Sequence, residues 1–324
     1  MIFNSSYNDI ISLDNLYKAW REFVRGKKLK NDVALFSLNL SANIYLLHLD
    51  LKNKTYVHGG YYAFNISDPK PRNIHKAIVR DRLLHHAIYR ILYPYFDRKF
   101  IADSYSCRLN KGTHKALERF KKLAGQASRN HTKTLWVLKC DVRKFFASID
   151  HEVLEQILAK FISDQDVLWL LEKVIGSFHS TAKGKGLPLG NLTSQLLVNI
   201  YLNEFDQFVK HRLKAKHYLR YADDFVIFSQ DKRELENILP AIESFLVIKL
   251  KLKLHPNKVS TTTIASGVDF LGWVHFPDHR VLRRATRRRM MRNLTENSNP
   301  EVAVSYSGML KHGNTYKLTI TLGL

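Results

Sequence analysis

Tyr218-Leu219-Arg220-Tyr221-Ala222-Asp223-Asp224-Phe225-Val226-Ile227-Phe228 decides how this chain is read. Two adjacent acids stand between two largely apolar runs. Tyr218–Tyr221 and Phe225–Phe228 read as short buried strands, so the acids fall at a hairpin turn. Neighbouring carboxylates repel each other and lose solvation when a site closes over them, and a cation relieves both costs. A plain Asx-rich turn would carry the same four residues, Tyr221 to Asp224.

A second strand, Leu135-Trp136-Val137-Leu138-Lys139-Cys140, ends at Asp141, 82 residues before Asp223. If the two strands are neighbours in one sheet, Asp141, Asp223 and Asp224 converge at one edge. A two-metal phosphoryl-transfer site requires such a set. Two Mg2+ ions roughly 3.5–4 Å apart share carboxylate oxygens and stabilise the attacking 3′-oxygen and the leaving pyrophosphate oxygen. The alternative makes Asp141 a strand-end cap.

The charge balance narrows the partner. Lys plus Arg number 51 against 29 Asp plus Glu, a net charge of +22. A field of that sign attracts polyanions, and nucleic acid is the favoured one. Apolar residues make up 45% and charged residues 25%, a globular balance rather than a disordered one. The 324 residues suffice for a large core and two or three lobes. No apolar run reaches the length of a membrane span, and the start lacks the order of a signal peptide. Cys107 and Cys140 are the only cysteines, which points to a reducing cytoplasm and no disulfide framework. His85-His86, His211 and His217 lack ligand spacing and read as solvated or phosphate-facing.

Along the chain, residues 1–65 read mainly as helix with basic patches at Arg21, Arg25, Lys27, Lys28 and Lys30. Pro69-Lys70-Pro71-Arg72 breaks the chain. From Ile74 to Phe96, Ile78, Leu83, Leu84, Ile88, Ile91 and Leu92 recur at helical spacing. Asp150 is the expected N-cap of a helix whose apolar face is Val153, Leu154, Ile157, Leu158 and Phe161. Gly184–Asn191 is a loop, and an apolar helix follows from about Leu192 to Leu213. Further on come a helix near 231–248, a Lys-rich segment from Lys249 to Lys258, a hairpin over Val268–Val274, and a basic tail from Arg280.

The ordered motifs resemble those of reverse transcriptases over about residues 66–318. They are Lys70-Pro71-Arg72-Asn73-Ile74 through Arg80-Asp81-Arg82; Ser104-Tyr105-Ser106-Cys107-Arg108-Leu109-Asn110-Lys111-Gly112; Lys139-Cys140-Asp141-Val142-Arg143-Lys144-Phe145-Phe146; Gly186-Leu187-Pro188-Leu189-Gly190-Asn191-Leu192-Thr193-Ser194-Gln195; Tyr221-Ala222-Asp223-Asp224; and Phe270-Leu271-Gly272-Trp273. Any one block is weak; six in family order are specific.

The resemblance implies an α+β right-hand polymerase fold. A helical extension would cover 1–65, fingers 66–134, a palm with an antiparallel sheet 135–276 (with a fingers insertion at about 151–190), and a short helical thumb 277–324. The implied reaction is RNA-templated attack of a primer 3′-hydroxyl on the α-phosphate of a dNTP. Asp141, Asp223 and Asp224, with Val142, look like the ligands of two Mg2+ ions, for which Mn2+ is a substitute. Lys258 resembles the lysine that protonates departing pyrophosphate. Phe146 sits where the family places its ribose gate, and Arg72, Arg80 and Gln195 match dNTP-binding positions. Arg108, Lys111, Arg283, Arg284, Arg287 and Arg288 are the expected contacts to template and RNA/cDNA duplex. Seven arginines between Arg280 and Arg292, on a helix, cover more than one face.

One block points to a subtype. Many relatives read Gln-Gly-x-x-x-Ser-Pro where this chain reads Leu189-Gly190-Asn191-Leu192-Thr193-Ser194-Gln195. That pattern resembles reverse transcriptases of diversity-generating retroelements, as does Ser305–Asn314, although Trp is expected where Met309 stands. Such enzymes copy a template-repeat RNA into cDNA with errors opposite adenine. Leu189, Gly190, Ser194 and Gln195 would then form a fidelity loop, and a small basic accessory protein, the variability determinant, would bind the polymerase. At this length no maturase or endonuclease domain is expected. Two rivals stay open: a reverse transcriptase of retron, group II intron or phage-defence type, and a catalytically silent RNA-binding protein on the same fold.

Overall fold

The computed structural model describes residues 3–67, 71–296 and 299–322. The chain forms two compact units. The first takes Met1–Ile101, Arg143–Gln207 and Phe245–Lys253; the second takes Ala102–Val142, Phe208–Ser244 and Leu254–Leu324.

Helices dominate the first unit. The Leu13–Phe23 helix buries Leu16, Ala19, Trp20 and Phe23, one stripe at helical spacing, and Ser12 Oγ caps it by accepting from the Asn15 N–H. That stripe packs on the Val79–Asp97 helix, which buries Leu83, Leu84, Ala87, Ile88, Leu92 and Phe96. The Leu192–Gln207 helix packs on the same partner and is buried nearly all round, with Leu196, Leu197, Val198, Ile200, Tyr201, Leu202 and Phe205 enclosed beside the polar Thr193, Ser194, Asn199, Asn203 and Asp206. Asp150 caps the His151–Ala159 helix as expected, accepting from the Val153 N–H at 3.2 Å.

One antiparallel pair, β1 (Tyr61–Ile66) and β2 (Arg72–Ala77), completes this unit, with Tyr61 opposite Ala77 and Ile66 opposite Arg72. Residues 1–65 are mainly helical, as expected, but the expected helix from Ile74 to Phe96 begins later. Ile74–Ala77 are strand, and the helix starts at Val79. The interior of β1 is exposed on both faces, so the alternation that marks a half-buried strand is missing. Pro69 and Lys70 of the expected break lie outside the described residues.

The second unit holds an antiparallel sheet of β3 (Trp136–Asp141), β4 (His217–Tyr221), β5 (Asp224–Ser229) and β6 (Ser260–Thr263), in the order β4-β5-β3-β6. The expected Val268–Val274 hairpin is β7 (Val268–Phe270) and β8 (Trp273–His275), and β9 (Arg280–Leu282) extends it to three strands. The Thr113–Ala127 helix contributes Phe120, Leu123 and Ala124 to a core with Val137, Leu219, Val226, Phe228 and Phe270. Truncating Phe120 to Ala is worth roughly 3–5 kcal/mol of stability.

A second cluster gathers Leu117, Trp273, Leu282, Met290 and Leu310, with Met309 half-buried at its margin. Gly313 is forced here, because a Cβ would lie 1.9 Å from Trp273 Cζ3. The basic tail is not one helix. Arg280 lies in β9, and the Arg284–Glu296 helix begins only after Arg283. The fold class is as expected: helices combined with antiparallel sheets.

Candidate active site

β3 and β5 are antiparallel neighbours, and their register sets Asp141 directly opposite Asp224. β4 and β5 pair as far as Tyr221 opposite Asp224, which leaves Ala222 and Asp223 as a two-residue turn. Asp223 therefore occupies the turn while Asp224 opens β5. The ladder continues one step further. The Val142 N–H donates to the Asp223 carbonyl at 3.2 Å, and the His255 N–H donates to the Asp141 carbonyl at 2.8 Å. Backbone geometry thus ties Asp141, Val142 and Asp223 to one sheet edge.

Burial is the chief reason that the Asp224 carboxyl is pushed up to about 6. Lys139 opposes that rise, while Asp223, Asp141 and a hydrogen bond with Asp141 add to it. The Lys258 ammonium lies 3.0 Å from each carboxylate oxygen of Asp141. Asp141 is thus answered by a lysine, and among the described residues no three Asp, Glu, His or Cys side chains close around one point in metal-binding geometry. The β3–β5 register and the adjoining turn bring the three acids to one sheet edge. Partly desolvated, mutually repelling hard oxygen donors suit a divalent cation of the Mg2+ or Mn2+ type.

The sequence reading passed over Lys139. It lies two residues before Asp141 on β3, and the two-residue period of a strand puts both side chains on one face. That spacing was the available signal.

In the first unit, Arg72 opens β2 and is exposed. Arg80 donates to Asp50 at 2.5 Å and to the Val57 carbonyl at 3.2 Å. Phe146 is half-buried in the short Phe145–Ser148 helix, and its carbonyl accepts from the Leu187 N–H at 2.8 Å. The Leu189 carbonyl accepts from the His75 N–H at 3.1 Å, so this loop is bonded to β2. Gly190 has φ +111°, and a Cβ there would press on Ile74 Cγ2 at 3.0 Å. Ser194 is buried and Gln195 half-buried at the start of the Leu192–Gln207 helix.

The expected nucleic-acid contacts divide. Arg108 donates to the Ser104 carbonyl at 3.0 Å, and Lys111 donates to the Ala102 carbonyl at 2.7 Å while lying over the Tyr105 ring. Arg283 pairs with Asp269 at 3.2 Å. Arg284, Arg287 and Arg288 are exposed on their helix. The expectation of solvated histidines fails at His85. Its ring is buried beside His58, Nε2 to Nε2 at 3.2 Å, and burial pushes its pKa down to about 3. Helical periodicity places residue 85 on the same face as Leu84, Ile88 and Leu92, which was legible. Among the described residues no helix is long and apolar enough to cross a membrane.

Comparison with known proteins gives one family, described as reverse transcriptase (RNA-dependent DNA polymerase), matching residues 67–275. Protein YkfC of Escherichia coli is 28% identical over 263 residues, covering 70% of this chain and 67% of that protein. Group II intron-encoded protein LtrA of Lactococcus lactis subsp. cremoris is 26% identical over 278 residues, covering 64% of this chain. The chain spans only 44% of LtrA. Among solved structures, apo telomerase from Candida tropicalis, truncated from the C-terminal domain, superposes with a TM-score of 0.54 at 13% identity. That match covers 71% of this chain and 55% of the telomerase chain, and it agrees with a right-hand polymerase fold.

Proposed function

The chain belongs to the reverse transcriptase (RNA-dependent DNA polymerase) family, and from that premise we propose that it copies a template-repeat RNA into adenine-mutagenised cDNA. The observation that carries the catalytic part is the register of Asp141 against Asp224, with Asp223 in the adjoining turn.

In this reading Asp141, Asp223 and Asp224, beside Val142, hold two divalent ions, which supply Lewis-acid activation of the primer 3′-hydroxyl and charge neutralisation at the leaving pyrophosphate. The chain's own groups do the rest. Lys258 delivers a proton to the departing pyrophosphate oxygen. The Phe146 ring excludes a 2′-hydroxyl and so selects dNTPs. Arg72 and Arg80 grip the triphosphate, as planar guanidinium donors suit phosphate oxygens; Arg80 does so by giving up Asp50. Arg284, Arg287 and Arg288 follow the template–primer backbone. Fingers, palm and thumb take the boundaries expected from the motifs, and the enzyme works in the cytoplasm with a small basic variability determinant.

The mutagenic subtype rests on Leu189 and Gln195. A Gln or Pro in those places is replaced by Leu and by an amide on a helix start, which changes the hydrogen bonds available around a nascent base pair. Fidelity needs a snug pocket, and a looser one discriminates less. Sequencing cDNA made on a defined RNA tests both halves of the proposal. Errors concentrated opposite adenine, reduced in Gln195→Pro, support it. The likeness to LtrA favours a second reading, a polymerase of group II intron type. Evenly distributed errors, unchanged in Gln195→Pro, would favour that reading.

A further inference from the structure

Arg220 is the largest fully enclosed side chain among the described residues, at 1% exposure, next to the buried Tyr218 and Leu219 on β4. A buried guanidinium is costly unless its donors are used. Nη1 donates to the Ala222 carbonyl at 3.1 Å, and Nη2 donates to Ser104 Oγ at 3.0 Å. The backbone of Arg220 engages the same neighbouring segment. Its N–H donates to the Asp103 carbonyl at 2.9 Å, and its carbonyl accepts from the Tyr105 N–H at 3.0 Å. Residues 103–105 thus run parallel beside β4. Asp103 is itself held by Arg119, at 2.6 and 2.9 Å.

What this assembly holds is an unfavourable backbone. Ala222 has φ 52°, the left-handed region, which a residue with a Cβ enters at a cost. A two-residue hairpin loop with positive φ at its first position ordinarily takes Gly there. Ala222 immediately precedes Asp223, so the conformation of that one residue sets where the Asp223 carboxylate points.

We propose that Arg220 is a positioning residue: its charged donors pin the Ala222 carbonyl, hold that residue left-handed, and so aim Asp223 at the cation site, an inference that rests on the site reading above. Ser104 is the second anchor, because it fixes the other arm of the guanidinium.

The test uses the full chain with Arg220→Lys, Ser104→Ala, Ala222→Gly and each of the first two combined with Ala222→Gly. Three quantities are read: kcat and dNTP KM on primed RNA, Mn2+ affinity by EPR of the free ion, and the thermal melt. Arg220→Lys should lower kcat and Mn2+ affinity by roughly 10–100-fold, the usual effect of removing a partner that orients a ligand, with dNTP KM little changed. Ser104→Ala should lose less, since the guanidinium keeps its bond to the Ala222 carbonyl. Ala222→Gly should restore most of the loss in both backgrounds, because Gly holds φ 52° without the pin. A merely stabilising Arg220 would lower the melt without that rescue. Wild-type kcat and Mn2+ affinity in Arg220→Lys, or no recovery on adding Ala222→Gly, would overturn the inference. If Arg220→Lys does not fold, Ser104→Ala with and without Ala222→Gly decides it by the same criteria. Absence of extension by the wild-type chain, with the Mn2+ effects as described, would reject the polymerase reading and leave the positioning role intact.

Discussion

Asp141 and Asp224 face each other across the antiparallel β3–β5 pair, directly opposed in register. Directly opposed residues share a sheet face with their Cβ atoms roughly 4.5–5.5 Å apart. Like charges in that relation are destabilising unless something neutralises them. The sheet therefore carries a local cost that a bound cation would relieve, and Lys258 supplies part of that relief from one side.

Lys258 and a divalent ion would then compete for Asp141. The lysine side chain is 42% exposed, so solvent screens the pair, and its worth is at most about 1 kcal/mol. Lys258→Met should destabilise the metal-free chain by no more than that, and should tighten Mn2+ binding up to about fivefold, the equivalent factor. Denaturant unfolding and Mn2+ titration measure the two effects. Weaker Mn2+ binding in Lys258→Met would mean that the lysine is not a competitor.

His275 gives the second unit a pH dependence. Burial, helped by Arg280, pushes its pKa down to about 3 from 6.5. The unfolded chain protonates this ring below about pH 6.5 while the folded chain does not. Its contribution is full above pH 6.5 and is lost as pH falls from there towards 3. Between pH 6.5 and 5 that amounts to about 2 kcal/mol, at one proton per transition. Urea unfolding at the two pH values should show the loss, and His275→Phe should remove it from the difference. The same difference in the variant would assign the acid sensitivity elsewhere.

The exposed arginines of the Arg284–Glu296 helix should act as sequence-independent phosphate contacts. Replacing Arg287 and Arg288 with Ala should weaken binding of an RNA/DNA duplex and lower the slope of log K against log salt by roughly 0.9 per residue. Fluorescence anisotropy across a salt series measures it. A slope unchanged in the double variant would remove these two side chains from the interface.

The reach of the sequence depended on where burial was one-sided. The strands around Asp223-Asp224, the Asp150 cap and the Val268–Val274 hairpin were legible, because apolar periodicity and capping chemistry are local signals. β1 and β2 were not, since β1 is exposed on both faces and its alternation is absent. β6, Ser260–Thr263, carries no hydrophobic residue and exists through pairing with β3. At the site, residue types gave the three acids, and only the fold gave their register. The left-handed Ala222 and the buried Arg220 were hidden, because Ala does not announce positive φ and Arg ordinarily lies at the surface. Lys258 could be named from its motif, but its contact with Asp141 depends on the chain returning beside β3.

Extension of a primed RNA by the purified chain, with dNTPs and Mg2+, tests the central claim most directly, with Asp223→Ala alongside. The account predicts extension by the wild-type chain and a loss of at least roughly 1,000-fold in Asp223→Ala, about 4 kcal/mol of transition-state stabilisation, with primed RNA still bound. Extension by Asp223→Ala at the wild-type rate, or binding without extension by the wild-type chain, would contradict it.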